Sequence, residues 1–131
     1  MVQNWEQLNG LALAYIGDGI YEIMIRMYVL EQGFTKPNKL HSAATKYVSA
    51  KAQCFIMEQL LAQEMYLTEE ELLYYRRGRN SKSHTSAKNA DIVTYRIATG
   101  FEALIGYLHL SGQQERLEQM VEYCITIIEE K

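Results

Sequence analysis

Apolar residues recur at three- and four-residue intervals through most of the chain and nowhere alternate with polar ones as a half-buried strand requires. Leu8, Leu11, Ala12, Tyr15, Ile16, Ile20, Ile23, Met24 and Met27 share one stripe, which predicts an amphipathic helix of about 25 residues ending near Gly33. Pro37 and Asn38 open a short second helix reaching to about Tyr47. Ser49 is placed to cap a third, with the stripe Ala52, Phe55, Ile56, Gln59, Leu60 and Gln63. Thr68 and Glu71 form a capping box with Leu67 and Leu72 as its hydrophobic staple, so a fourth helix starts there and should stop near Gly78. The polar run from Arg79 to Lys88 reads as a loop. Asn89 then caps a long helix carrying Ile92, Tyr95, Phe101, Leu104, Ile105 and Leu108 as far as Ser111-Gly112, and a last helix runs from Gln113 to about Glu129. The expected fold class is all-α, without repeat or linker.

Length sets the domain count. At 131 residues, the expectation is one domain spanning 1–131 with a core of its own. Apolar residues at 48% against 22% charged residues exclude a disordered chain. Gly17, Asp18, Glu22 and Arg26 interrupt the longest apolar stretch, leaving nothing near the roughly 20 residues of a membrane span. The first residues do not resemble a secretory signal. Cys54 and Cys124 lie in apolar-periodic segments and read as reduced core thiols of a cytoplasmic protein, with no redox or zinc role.

Charge is unevenly placed. The net charge is −3, yet two windows hold no acid at all: Gln32 to Met57, with Lys36, Lys39, Lys46 and Lys51, and Leu72 to Ala90, with Arg76, Arg77, Arg79, Lys82 and Lys88. Nine of the thirteen bases sit in these windows, leaving four against sixteen acids elsewhere. The first window fits either a solvated helix face or an anion-binding one. In the second, Arg76, Arg77, Arg79, Asn80, Ser81, Lys82 and His84, with Lys88 beside them, combine guanidinium forks, small polar side chains and a glycine, the mixture that contacts phosphate oxygens.

Two places break helix rules. Asp18 stands between Gly17 and Gly19, and Glu102 lies in Gly100-Phe101-Glu102-Ala103-Leu104-Ile105-Gly106. A glycine inside a helix costs about 0.5–1 kcal/mol relative to alanine, so four of them beside two carboxylates call for a reason. Tight helix crossing is one, and close approach of a ligand is another. Two carboxylates from two helices, completed by water and substrate phosphate, are what a protein commonly offers Mg²⁺.

The segment Leu11-Ala12-Leu13-Ala14-Tyr15-Ile16-Gly17-Asp18-Gly19 resembles the signature helix of the ribonuclease III catalytic domain, and Gly100 to Gly106 resembles its second motif, in the family's order and spacing. Short length, no double-stranded-RNA-binding domain and the run from Arg77 to Asp91 resemble the Mini-III subfamily. The resemblance implies a homodimeric endoribonuclease of the ribonuclease III endonuclease-domain fold. It further implies dependence on Mg²⁺, with Mn²⁺ as an alternative, and double-stranded RNA as substrate, typically the large-subunit (23S) ribosomal RNA precursor; neither DNA nor a membrane is an expected partner. Asp18 and Glu102 match the family's catalytic metal ligands. Leu11, Ala14 and Thr99 stand where longer members carry further acids, so the acidic cluster is thinned to two residues, with Glu22 as a candidate water-mediated third. The implied reaction is in-line displacement by a metal-activated water, leaving a 5′-phosphate and a 3′-hydroxyl, with no side-chain base; neither His84 nor His109 is needed. Leu11, Ala14, Tyr15 and Gly19 would line the dimer contact, with Tyr15 fitting a socket on the partner; intrachain core is the competing reading of the same periodicity.

Other classes remain open at this point. A non-catalytic RNA-binding or ribosome-assembly factor would keep the dimer and the basic loop but not depend on Asp18 and Glu102. An all-α nucleotide pyrophosphohydrolase would need paired acidic motifs on facing helices, and only Glu115 with Glu118 and Glu69 to Glu71 have comparable spacing. A plain helical interaction module leaves the glycine-flanked carboxylates unexplained.

Overall fold

The computed structural model describes residues 2–81 and 91–131, and over these the chain is helical without strands. A single 3₁₀ turn, Trp5–Gln7, precedes six helices: α1 (Gly10–Glu31), α2 (Pro37–Val48), α3 (Ala50–Ala62), α4 (Glu69–Arg79), α5 (Ile92–Leu110) and α6 (Gln114–Glu129). Local signals set most boundaries. Ser49 accepts from the Ala52 amide at 3.1 Å, Pro37 occupies the first turn of α2, and the Thr68/Glu71 capping box is closed in both directions at 3.0 Å. Helix α1 is shorter than its stripe suggests: Asn9 caps it by accepting from Ala12, and Leu8 falls outside. Asp91 stands at the N-cap of α5 without a side-chain bond, and Asn89 lies outside the described residues.

Helix α5 is the centre of the molecule. From Gly100 to Leu108 every residue except Glu102 is buried, so this stretch is apolar around its whole circumference and packs against α1, α3, α4 and α6. Ile92 and Tyr95, expected on its inner stripe, are exposed instead, because the first turns of α5 extend beyond the core. The stripe of α3 is also rotated from expectation: Gln53, Cys54 and Met57 are buried, whereas Gln59 and Gln63 face solvent. Both cysteines are buried free thiols, and burial pushes their pKa values up, which keeps them protonated and unreactive.

Glycines set two close crossings on α5. A Cβ on Gly17 would stand 1.6 Å from the Glu102 carbonyl oxygen, and one on Gly106 would stand 2.1 Å from the Leu13 carbonyl, so α1 and α5 meet backbone to backbone. Gly78 and Gly100 do the same for α4 and α5, where a Cβ would lie 2.8 Å from the Thr99 carbonyl or 2.6 Å from the Tyr75 ring. Tight crossing therefore accounts for Gly17, Gly100 and Gly106. Gly19 is the exception, since a Cβ there meets nothing within 4 Å.

The N-terminal segment is pinned to this frame. Trp5 packs on Tyr74 and Tyr107 at centroid distances of 5.8 and 5.7 Å, and Arg77 donates through Nη1 to the carbonyls of Glu6 (2.6 Å) and Leu8 (3.0 Å). Arg116 forks onto Glu71 at 2.8 and 2.9 Å, joining α6 to the start of α4. No helix among the described residues is long and apolar enough to cross a membrane.

Candidate active site

The α1–α5 crossing decides where the two singled-out carboxylates stand. Gly17 rests on the backbone of Glu102, so Asp18, the next residue along α1, is brought beside the Glu102 side chain. Asp18 is exposed and Glu102 is half-buried, the one polar break in the buried run of α5. Residues far apart in sequence thus converge. Burial and the neighbouring Asp18 carboxylate push the Glu102 pKa up to about 8, while the Gln53 amide on α3 works the other way.

This donor set suits a hard divalent cation. Two like-charged oxygen ligands side by side, one of them partly removed from water, destabilise each other until a cation or a proton intervenes. Among the described residues no three His, Cys, Asp or Glu side chains gather into a metal-binding group, so a bound ion would take its remaining ligands from water and substrate. The Glu22 carboxylate accepts from Arg26 Nε at 3.2 Å, one turn further along α1. His109 is exposed near the C-terminal end of α5.

A pH dependence follows. Because the folded-state pKa of Glu102 is raised, the metal-free fold binds a proton that the unfolded chain has released above the ordinary carboxyl range, so stability is lost as pH climbs toward about 8. Melting curves in chelator from pH 5 to 9 should show this fall in the wild type and a smaller one in Glu102→Gln. Mg²⁺ should raise the melting temperature of the wild type at pH 8 and not that of the variant; parallel curves for both proteins would contradict the assignment.

The basic segment divides. Arg77 donates through Nη1 to the N-terminal carbonyls and lies 4.6 Å from the Tyr74 ring centroid, so it also anchors the fold. The Ser81 hydroxyl donates to the Arg77 carbonyl at 2.9 Å, closing the end of α4. Arg79 donates to Asn80 Oδ1 at 3.2 Å and leans on Tyr75, while Arg76 is exposed. Lys82, His84 and Lys88 lie outside the described residues.

The expected dimer residues divide too. Leu11 is 43% and Tyr15 80% exposed, on the same side of α1 as Gly19. Ala14 is a correction: at 5% exposure it belongs to the intrachain core with Tyr21 and Ile25, seven and eleven residues along the same helix face. Gln53 was not anticipated, since a glutamine in a helix reads as solvent-facing. Only the packing of α3 on α5 reveals it.

Residues 11–113 match the family model of the ribonuclease III domain. The chain is 64% identical over 124 residues to the Mini-ribonuclease 3 of Enterococcus faecalis, covering 95% of this chain and 93% of that one. It is 56% identical to the Mini-ribonuclease 3 of Streptococcus pneumoniae, covering 93% and 94%. A crystal structure of a protein from Fusobacterium nucleatum superposes with a TM-score of 0.79 at 29% identity, covering 95% of this chain and 98% of that one. With the ribonuclease III motifs placed at the α1–α5 crossing and relatives matched over nearly their whole length, the chain belongs to the Mini-ribonuclease 3 family of ribonuclease III-like proteins.

Proposed function

We propose that the chain is a single catalytic domain, a cytoplasmic, divalent-metal-dependent endoribonuclease that cleaves double-stranded RNA, with the large-subunit ribosomal RNA precursor as its physiological substrate. The observation that carries this reading is the pairing of Asp18 with Glu102 at a backbone-tight helix crossing. Asp18 and Glu102 hold the cation, Mg²⁺ by the hardness of the oxygen donors, with Mn²⁺ able to replace it. When bound, such an ion supplies Lewis acidity, polarising the scissile phosphate and making water acidic enough to attack at neutral pH. The protein's own part is to keep the two carboxylates together, so that Glu102, which holds a proton near neutral pH without metal, would give it up when a cation is bound. In-line attack then leaves a 5′-phosphate and a 3′-hydroxyl.

Substrate affinity has to come from this domain. Arg76, Arg79 and Asn80 at the end of α4, continued by Lys82, His84 and Lys88, offer phosphate contacts suited to A-form RNA, which is read by shape and backbone. Two strands need two sites, and a two-fold dimer supplies them. Leu11, Tyr15, Ile23, Met27 and Leu30 form an exposed apolar strip along α1, with Gly19 open in its midst. A recess of about 310 Å³ lined by Val29, Leu30, Leu40 and Ala44 lies between α1 and α2 and is large enough for a partner's aromatic ring. Since the Tyr15 side chain touches little of its own chain, Tyr15→Arg should convert dimer to monomer in sedimentation at micromolar concentration while the helical spectrum is retained. A wild-type monomer, or an unchanged dimer in the variant, would overturn this interface.

The deciding experiment is incubation of a defined RNA duplex with the protein and Mg²⁺, with and without chelator. Metal-dependent cuts in both strands, with ends that accept 3′ ligation, are the expected result. Binding without cleavage under every metal condition would return the chain to a non-catalytic RNA-binding role.

A further inference from the structure

Among the described residues only two polar or charged side chains are fully buried, Glu71 and Gln53. Glu71 is accounted for by its capping box and by the Arg116 fork. Gln53 is not explained by packing alone. It is 2% exposed, and a methionine of similar length would fill the same space without withdrawing an amide from water. One bond is in place: Nε2 donates to the carbonyl of Val48, the last residue of α2, at 3.2 Å. The same side chain stands beside the Glu102 carboxylate. Nε2 carries two hydrogens, so the bond to Val48 leaves a second for that carboxylate.

The residue type fits this place. A lysine would compete with a cation for Glu102, and another carboxylate would add repulsion to a pair already crowded by Asp18. A neutral amide donates to the carboxylate while leaving its charge available. It is also the only contact described here that reaches Glu102 from the side of α3, whereas Asp18 reaches it from α1.

We infer that Gln53 is a positioning residue, its amide braced on the Val48 carbonyl so that Glu102 is held in the orientation in which it pairs with Asp18. The inference rests on the metal-site reading above. Gln53 itself touches neither the RNA nor the reacting atoms. Its loss should therefore weaken cation binding and leave duplex affinity unchanged, because outer partners of this kind commonly govern about 10- to 100-fold in metal affinity or activity.

The test is calorimetric titration of Mn²⁺ into the full chain, comparing wild type with Gln53→Leu and Gln53→Met, with folding checked by circular dichroism. The methionine variant, unbranched and close in length, carries the comparison if the leucine variant melts early. The expected result is Mn²⁺ affinity at least about tenfold weaker, a matching rise in the Mg²⁺ concentration for half-maximal cleavage, and duplex binding in chelator within twofold of wild type. A folded variant that binds Mn²⁺ within twofold of wild type would overturn the inference while leaving the metal site standing. A wild type whose Mn²⁺ binding is indifferent to Asp18→Asn would sink both together.

Discussion

Asp18→Asn and Glu102→Gln should each lower the rate of duplex cleavage by about 10³-fold or more, with RNA affinity in chelator within about threefold of wild type. Each substitution keeps the shape of the side chain and removes its charge, so the α1–α5 crossing is undisturbed. In Glu102→Gln the carboxylate whose ionisation is disfavoured by burial and by Asp18 is gone, and the metal-free protein should melt no lower than wild type above neutral pH. Loss of rate without loss of stability separates a chemical role from a structural one. Single-turnover cleavage of a labelled duplex, read beside a binding isotherm, makes the distinction. Cleavage surviving in either variant would place the chemistry elsewhere.

Gly17→Ala should have the largest effect on folding, about 3 kcal/mol, seen as a melting temperature lower by roughly 10 °C. The added methyl would stand 1.6 Å from the Glu102 carbonyl oxygen, a backbone atom that no rotamer change can move aside. The two helices would have to part, and the carboxylates with them, so cleavage should fall even at temperatures where the variant remains folded. Gly19→Ala is the contrasting case. With nothing within 4 Å of its Cβ, that substitution should be neutral or stabilising by about 0.5–1 kcal/mol within one chain. Any loss it caused would report on the partner chain. Equal melting curves for Gly17→Ala and wild type would contradict the crossing as described.

The sequence made the helices legible because their signals are local. Ser49 and the Thr68/Glu71 box name their own helix starts, and the structure places each where the residues indicate. The candidate site stood out for a different reason: glycines near a carboxylate in a helix interior are locally unfavourable, so they singled out Asp18 and Glu102, and the resemblance to the ribonuclease III motifs suggested their role. What spacing left open was which cost the glycines offset. Gly17 and Gly106 turn out to serve the crossing that assembles the pair, so packing and function are one arrangement there.

Other features depend on partners distant in sequence and left no local trace. Ala14 and Tyr15 are neighbours about 100° apart on one helix, so the same periodic stripe sends one to the core and the other to solvent. Arg77 looked like its neighbours until the N-terminal carbonyls of Glu6 and Leu8 claimed it. Gln53 has the letter of a surface residue and the position of a core one, and only the approach of α5 distinguishes them.

The central claim is that one cation is shared between α1 and α5, and crystals of the full chain soaked in Mn²⁺ test it most directly through anomalous scattering. One peak at coordination distance from carboxylate oxygens of both Asp18 and Glu102 is the result expected, roughly 2.1–2.3 Å from each. Manganese found only at other carboxylates, with the Asp18–Glu102 pair bare at saturating metal, would contradict the account.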